Sequence, residues 1–328
     1  MLEILIHIKR RLYLYVTLVF IIALILGYYI DFTKMNIMLV SVAAVFIMLY
    51  PMLTGMEVEK VKRAGRNYKL ISSTLIFAYF IASLTAFFLT RTLLIGYDDL
   101  ALALVLVGAI PCSNMLIGWS GIADASVADA LVIAVIGLLL IPILSPILIY
   151  FNGGIFATIN VLQLVLILLF YILVPLALGM LTRREIIRMK GREYFMGIKK
   201  YLPGISALGI LLIVFFSVAK VSRKVIEEPQ IFLLVLAALF SYYFIQTTLS
   251  VLAAKALKFK YEQGMILILG ATASSQAISL SLAATVFPPL TVFALSFKPI
   301  LQVFYIMFLI YALGPWLRKF LGQSINED

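Results

Sequence analysis

Residues 108–114 read GAIPCSN and residues 270–276 read GATASSQ. Each interrupts a long apolar run with small and polar residues, and the two stretches begin half a chain apart. Pro111 removes one backbone N–H and disturbs the helical bond to the carbonyl four residues earlier. A helix carrying it therefore releases backbone groups that a solute can use. Beside it stands Cys112, the single cysteine of the chain, which excludes an intrachain disulfide. Two roles are open to this thiol: a small buried hydrophobe, or a soft ligand suited to a soft centre. Ser113, Asn114, Ser274, Ser275 and Gln276 add hydroxyl and amide groups at the two breaks. They either glue helices together or line a solute site, and their clustering at matching positions favours the second.

Three charged residues fall near or within apolar segments. Lys298 is about nine residues into one of them, where an ionisable group is costly and is functional by default. Its alternative is snorkelling to an interface. A fixed ammonium there can hold an anionic or oxyanion group. Asp124 and Asp129 flank a short connection between two apolar segments. Asp124 reads as a solvated loop residue or a helix N-terminal charge. Asp129, about one turn inside the next segment, is expected to pair with Lys298 or carry a proton. Trp119 and the many Tyr and Phe residues read as interface belts and lipid-facing bulk. The chain has one histidine, His7, and no HExxH or GxSxG arrangement, so a membrane enzyme would lack its catalytic set. No nucleotide-binding motif is present and no cofactor is expected.

The elements that must position these residues are membrane helices. Hydrophobic residues make up 64% of the chain, charged residues 12%, and mean hydropathy is +1.14. One soluble core cannot bury that much apolar surface, whereas repeated runs of about 20 apolar residues span a bilayer. Ten such runs are legible, near 12–30, 35–55, 70–91, 100–120, 126–151, 155–181, 203–219, 230–254, 263–287 and 290–317. The first follows Lys9, Arg10 and Arg11 like a signal peptide but lacks a small-residue cleavage site, so it reads as a retained span. An even number of spans puts both termini on one side. The segments on that side carry 20 Lys and Arg against 5 on the other, so both termini are expected in the cytoplasm of a plasma-membrane protein. The same bias explains the net charge of +11 without nucleic acid. The segment 182–202 reads as a basic amphipathic helix lying on the cytoplasmic leaflet and joining two halves. Those halves, 1–153 and 154–328, hold five spans each, so the second must be inverted relative to the first. Spans four and nine are then equivalent, and each carries one of the breaks. This is the layout of a secondary transporter binding a small solute near the bilayer midplane.

The stretch GAIPCSNMLIGWSGIADAS (108–126) resembles the arsenite efflux permeases of the bile acid/sodium symporter superfamily through Pro111, Cys112, Met115, Trp119 and Asp124. YPMLTGMEVEKV, from Tyr50, and Lys298-Pro299-Ile300-Leu301-Gln302-Val303 are similar to further stretches of that family. The resemblance implies a core domain of spans three to five and eight to ten, with spans four and nine unwound and crossing. A panel domain of the other four spans would rock against it. It implies arsenite or metalloid efflux, linked to protons, with Cys112 as a soft ligand for trivalent arsenic. The alternative is transport of a small organic anion, sodium-independent or weakly sodium-coupled, in which Lys298 replaces the family's bound cation. The chain departs from the family at the coupling positions. Ser274, Ser275, Gln276 and Ala277 stand where the arsenite type has Asn-Asn-Phe-Glu, and no carboxylate occurs in 263–287. Gln302 stands where a span-ten Glu is usual, and Ala130 to Ile136 is largely apolar where the sodium-coupled members carry hydroxyls and amides.

Overall fold

A computed structural model describes residues 12–32, 38–55, 67–112, 114–155 and 160–322. Among them the chain is helical: α1 (Leu12–Tyr29), α2 (Met38–Thr54), α3 (Tyr68–Thr92), α4 (Asp98–Ala109), α5 (Asn114–Ile122), α6 (Val127–Gly153), α7 (Val161–Lys199), α8 (Leu202–Glu227), α9 (Gln230–Ala256), α10 (Tyr261–Thr272), α11 (Gln276–Val286) and α12 (Pro289–Leu321). Six of these, α3, α6, α7, α8, α9 and α12, are long and apolar enough to cross a membrane. With no water in the hydrocarbon to satisfy backbone groups, helices are the expected solution for so apolar a chain.

Two helices that read as uniform in sequence contain π turns, Phe77–Ile81 in α3 and Leu309–Leu313 in α12. A further step occurs in α12 at Phe297, two residues before Pro299, which has no N–H to donate to the carbonyl of Leu295. In α7 the regular backbone is interrupted at Gly191, with φ 85° and ψ 165°. That region is essentially reserved for glycine, so the residue type permits the turn between the long apolar part of α7 and its basic end.

The chain divides into two compact units. One comprises Met1–Met56, Leu162–Leu233 and Ala277–Ile300; the other comprises Glu57–Val161, Leu234–Gln276 and Leu301–Asp328. In the first unit α8 packs along α1 and α2 and against the first turns of α12. Phe20, Phe293, Phe297 and Phe232 form an aromatic cluster there, with ring centroids 4.6–5.5 Å apart. In the second unit α3 packs against α4 and α10, and α6 against α4 and α5. Met265–Leu269 of α10, with Leu116 and Ile133, lies in the middle of its apolar core.

Candidate functional site

The two interrupted stretches meet within the second unit. Helix α4 ends at Ala109 and the chain runs extended through Ile110, with φ −115° and ψ 104°. Helix α10 ends at Thr272 and Ala273 is likewise extended, with φ −82° and ψ 146°. Pro111 and Ser274 then form a single antiparallel bridge, in which the Ser275 N–H donates to the Pro111 carbonyl at 3.1 Å. A helix end leaves carbonyls without intrahelical donors. Ser145 of α6 answers one of them, its hydroxyl donating to the Ala109 carbonyl at 2.7 Å. Gln302 of α12 reaches the other strand, its Oε1 accepting from the Ser274 N–H at 3.4 Å.

Both glycines that open the motifs lie against α3. A Cβ at Gly108 would sit 2.7 Å from the Ala82 carbonyl oxygen, and one at Gly270 would sit 2.5 Å from Cγ2 of Thr74. The bare backbones of α4 and α10 thus approach one common helix. On the other side, Pro111 and the Cys112 carbonyl face Gly137 of α6, whose own carbonyl accepts from the Tyr79 hydroxyl at 2.6 Å. Tyr79 belongs to the π turn of α3.

The paired stretches hold a dense set of buried polar groups. Cys112 is only 4% exposed, and Ser274, Ser275, Gln276 and Gln302 are all buried. Among the described residues, Oγ of Ser274 and Nε2 of Gln302 are buried without a hydrogen-bond partner. Such groups are expensive in a low-dielectric interior unless something completes them. Two helices, α5 and α11, also begin at these breaks, at Asn114 and Gln276. Their N-terminal N–H groups and dipoles favour negative charge or polarised oxygen.

A family model described as the Sodium Bile acid symporter family matches residues 42–228, more than half of the chain. The chain belongs to that family. It is 27% identical to an uncharacterized transporter of Synechocystis over 249 residues, which is 69% of this chain and 65% of that protein. It is 26% identical to the arsenical-resistance protein Acr3 of Alkaliphilus metalliredigens over 204 residues, 58% of this chain and 57% of that protein. The matched region thus spans less than two thirds of each relative's length. Family membership and the six helices long and apolar enough to cross a membrane make the protein an integral membrane protein.

In this symporter-family chain three further sequence candidates carry charge. Lys298 falls in the first unit, fully buried, with Nζ 3.2 Å from Oγ of Ser279 on α11. Asp129 falls in the second unit, half-buried in the first turn of α6, where its N–H donates to the side chain of the N-cap residue Ser126 at 3.3 Å. Asp124 has a left-handed backbone, with φ 53°, and its 75% exposed carboxylate pairs with Arg318 at 2.7 Å. That arrangement ties the α5–α6 connection to the end of α12 at the protein surface. Ser113 and the side chain of Asn114 lie outside the described residues. Trp119 is half-buried and packs with Met115 on the apolar core.

Sequence reasoning missed a hydroxyl and amide network in the same unit. Gln246 Nε2 donates to Oγ1 of Thr85 at 2.7 Å and to the Ile81 carbonyl at 3.1 Å. The Tyr305 hydroxyl donates to Oγ1 of Thr247 at 3.1 Å, and Thr247 lies 3.3 Å from Thr272, the last residue of α10 before its break. The only sequence signal was polar residues at Gln246, Thr247, Thr248 and Ser250 in an otherwise apolar helix.

Proposed function

We propose that the protein is a secondary transporter that exports arsenite, or a related trivalent metalloid such as antimonite, in exchange for protons. Its substrate would be held at the paired breaks of α4–α5 and α10–α11. The observation that carries this reading is the sole thiol, Cys112, buried beside the bridged strands. Thiol sulfur prefers soft centres. Binding forms one S–As bond and breaks one As–O bond, with the thiol proton and the departing hydroxide leaving as water. Release is the reverse hydrolysis. A single sulfur ligand suits cargo that must be let go, and the similarity to an arsenical-resistance protein supports the same choice. The buried hydroxyl and amide groups of Ser274 and Gln302 would bind the remaining arsenic hydroxyls. The finer architecture belongs to this proposal too: ten spans in two inverted repeats, 1–153 and 154–328, with core and panel domains that rock to alternate access. Both termini would lie in the cytoplasm.

Inside-out vesicles with an imposed proton gradient and no sodium test it. Wild type is expected to accumulate arsenite, and Cys112→Ser to lose at least about tenfold of the rate, the loss of a single ~1.4 kcal/mol interaction. If neither wild type nor variant moves arsenite, the metalloid reading is abandoned.

A second reading, sodium-independent transport of a small organic anion, rests on Lys298. A buried ammonium in a membrane helix attracts a carboxylate or oxyanion. Equal organic-anion uptake in sodium and choline buffers, lost in Lys298→Met and partly kept in Lys298→Arg, would favour it. Uptake that requires sodium would exclude it.

A further inference from the structure

A cavity of about 310 Å³ opens within the first unit, between the end of α2, the end of α7 and the start of α8. That is near the lower end of the roughly 300–1,000 Å³ typical of small-ligand pockets. Its walls are side chains such as Phe46, Ile186, Phe195, Ile198 and Ile205. Two of the wall hydroxyls, Tyr50 and Thr182, are bonded to each other at 2.8 Å, which occupies one of their two O–H donors. Residues on both sides of the Gly191 turn contribute, Ile186 before it and Phe195 and Ile198 after it. The turn is therefore what closes this apolar chamber.

The surroundings have the opposite character. Residues 183–200 carry seven Lys and Arg against two Glu. Wall residues Thr182 and Ile198 are each followed directly by a cation, Arg183 and Lys199. The Arg183 guanidinium lies 5.7 Å from the ring of Phe195, which itself forms part of the wall. An apolar chamber small enough for part of one hydrocarbon chain, next to a dense row of cations, matches one ligand chemistry. We propose that the cavity takes an acyl chain of an anionic phospholipid whose headgroup phosphate is held by Arg183 and Lys199. A zwitterionic lipid would leave the charge excess without a purpose, and a free anion would leave the apolar cavity without one.

The test uses the full chain purified in detergent and native mass spectrometry of retained lipid. Dioleoyl phosphatidylglycerol should be retained about thirtyfold more than dioleoyl phosphatidylcholine, the selectivity that two cations beside an anionic headgroup supply. Arg183→Gln with Lys199→Gln should abolish the difference between the two lipids. Ile198→Trp, which fills the cavity, should abolish retention of both, and the milder Ile205→Phe should weaken it if the tryptophan variant does not fold. Equal retention of the two lipids by wild type overturns headgroup recognition. Undiminished phosphatidylglycerol binding by the filled variants overturns the placement of the chain. Displacement of the lipid by glycerol phosphate at equal concentration reduces the site to an anion site and overturns it as well. Absence of any retained lipid overturns the proposal.

Discussion

Gln302 shows how much one side chain can settle at a helix break. Its Oε1 is the acceptor for the Ser274 N–H, a donor stranded because α10 has ended and α11 has not begun. At 3.4 Å the bond is long, so its loss falls near the low end of the ~1–3 kcal/mol that a buried unsatisfied group costs. Gln302→Leu is therefore expected to lower the unfolding temperature in detergent and to slow transport. An unchanged unfolding temperature would mean that the Ser274 N–H finds another acceptor. The types and spacing of Pro111, Cys112, Ser274 and Gln276 announced a polar break in apolar surroundings, and the structure brings both breaks to one bridge. What the residues did not reveal is how the broken ends are satisfied. Ser145 is one hydroxyl between two prolines of an apolar helix, and nothing in its sequence context marks it as the donor to Ala109. Asp124 reads from the sequence as a solvated loop residue or a helix N-terminal charge, and distance along the chain does not convey that Arg318 reaches it.

Apolar run length is a robust signal for a membrane helix because the hydrocarbon admits little else, and so each predicted run coincides with a helix or a pair of half-helices. Departures within helices are less legible. A π turn shifts the ladder by one residue and leaves the composition unchanged, which hides those at Phe77–Ile81 and Leu309–Leu313. The glycines in the two motifs had looked like part of the polar break. In the structure they serve packing, since each lets its helix approach α3. The two approaches differ in what lies opposite. At Gly108 the obstacle is the Ala82 backbone carbonyl, which cannot move without its helix, whereas at Gly270 it is the methyl of Thr74, which can rotate. Gly108→Ala is accordingly expected to cost about 1–3 kcal/mol by overpacking, and Gly270→Ala clearly less. Thermal unfolding of the two variants in the same detergent checks the order. A larger loss at Gly270 would show that Thr74 is pinned and that the α3–α10 contact is the stiffer one.

Across the whole molecule the strongest sequence signal is electrostatic. Twenty Lys and Arg lie in the segments assigned to one side and five in those assigned to the other. Moving such loops across a bilayer is unfavourable, so the asymmetry predicts cytoplasmic termini. Because Cys112 is the only cysteine, a Cys112→Ala background offers a clean test with a membrane-impermeant maleimide. Ile95 sits in the connection between α3 and α4 and is 72% exposed. That connection is on the sparsely charged side, so Ile95→Cys should label in intact cells. Ser324→Cys, near the C-terminus, should label only in inside-out vesicles. The pair also tests the number of crossings. From Ile95 to the C-terminus the ten-span topology has seven crossings, an odd number, so the two sites must lie on opposite sides. Labelling of both from the same side would require one crossing more or fewer, and the half-helix pairs α4–α5 and α10–α11, none of whose members is long enough to cross alone, are where that crossing would be gained or lost.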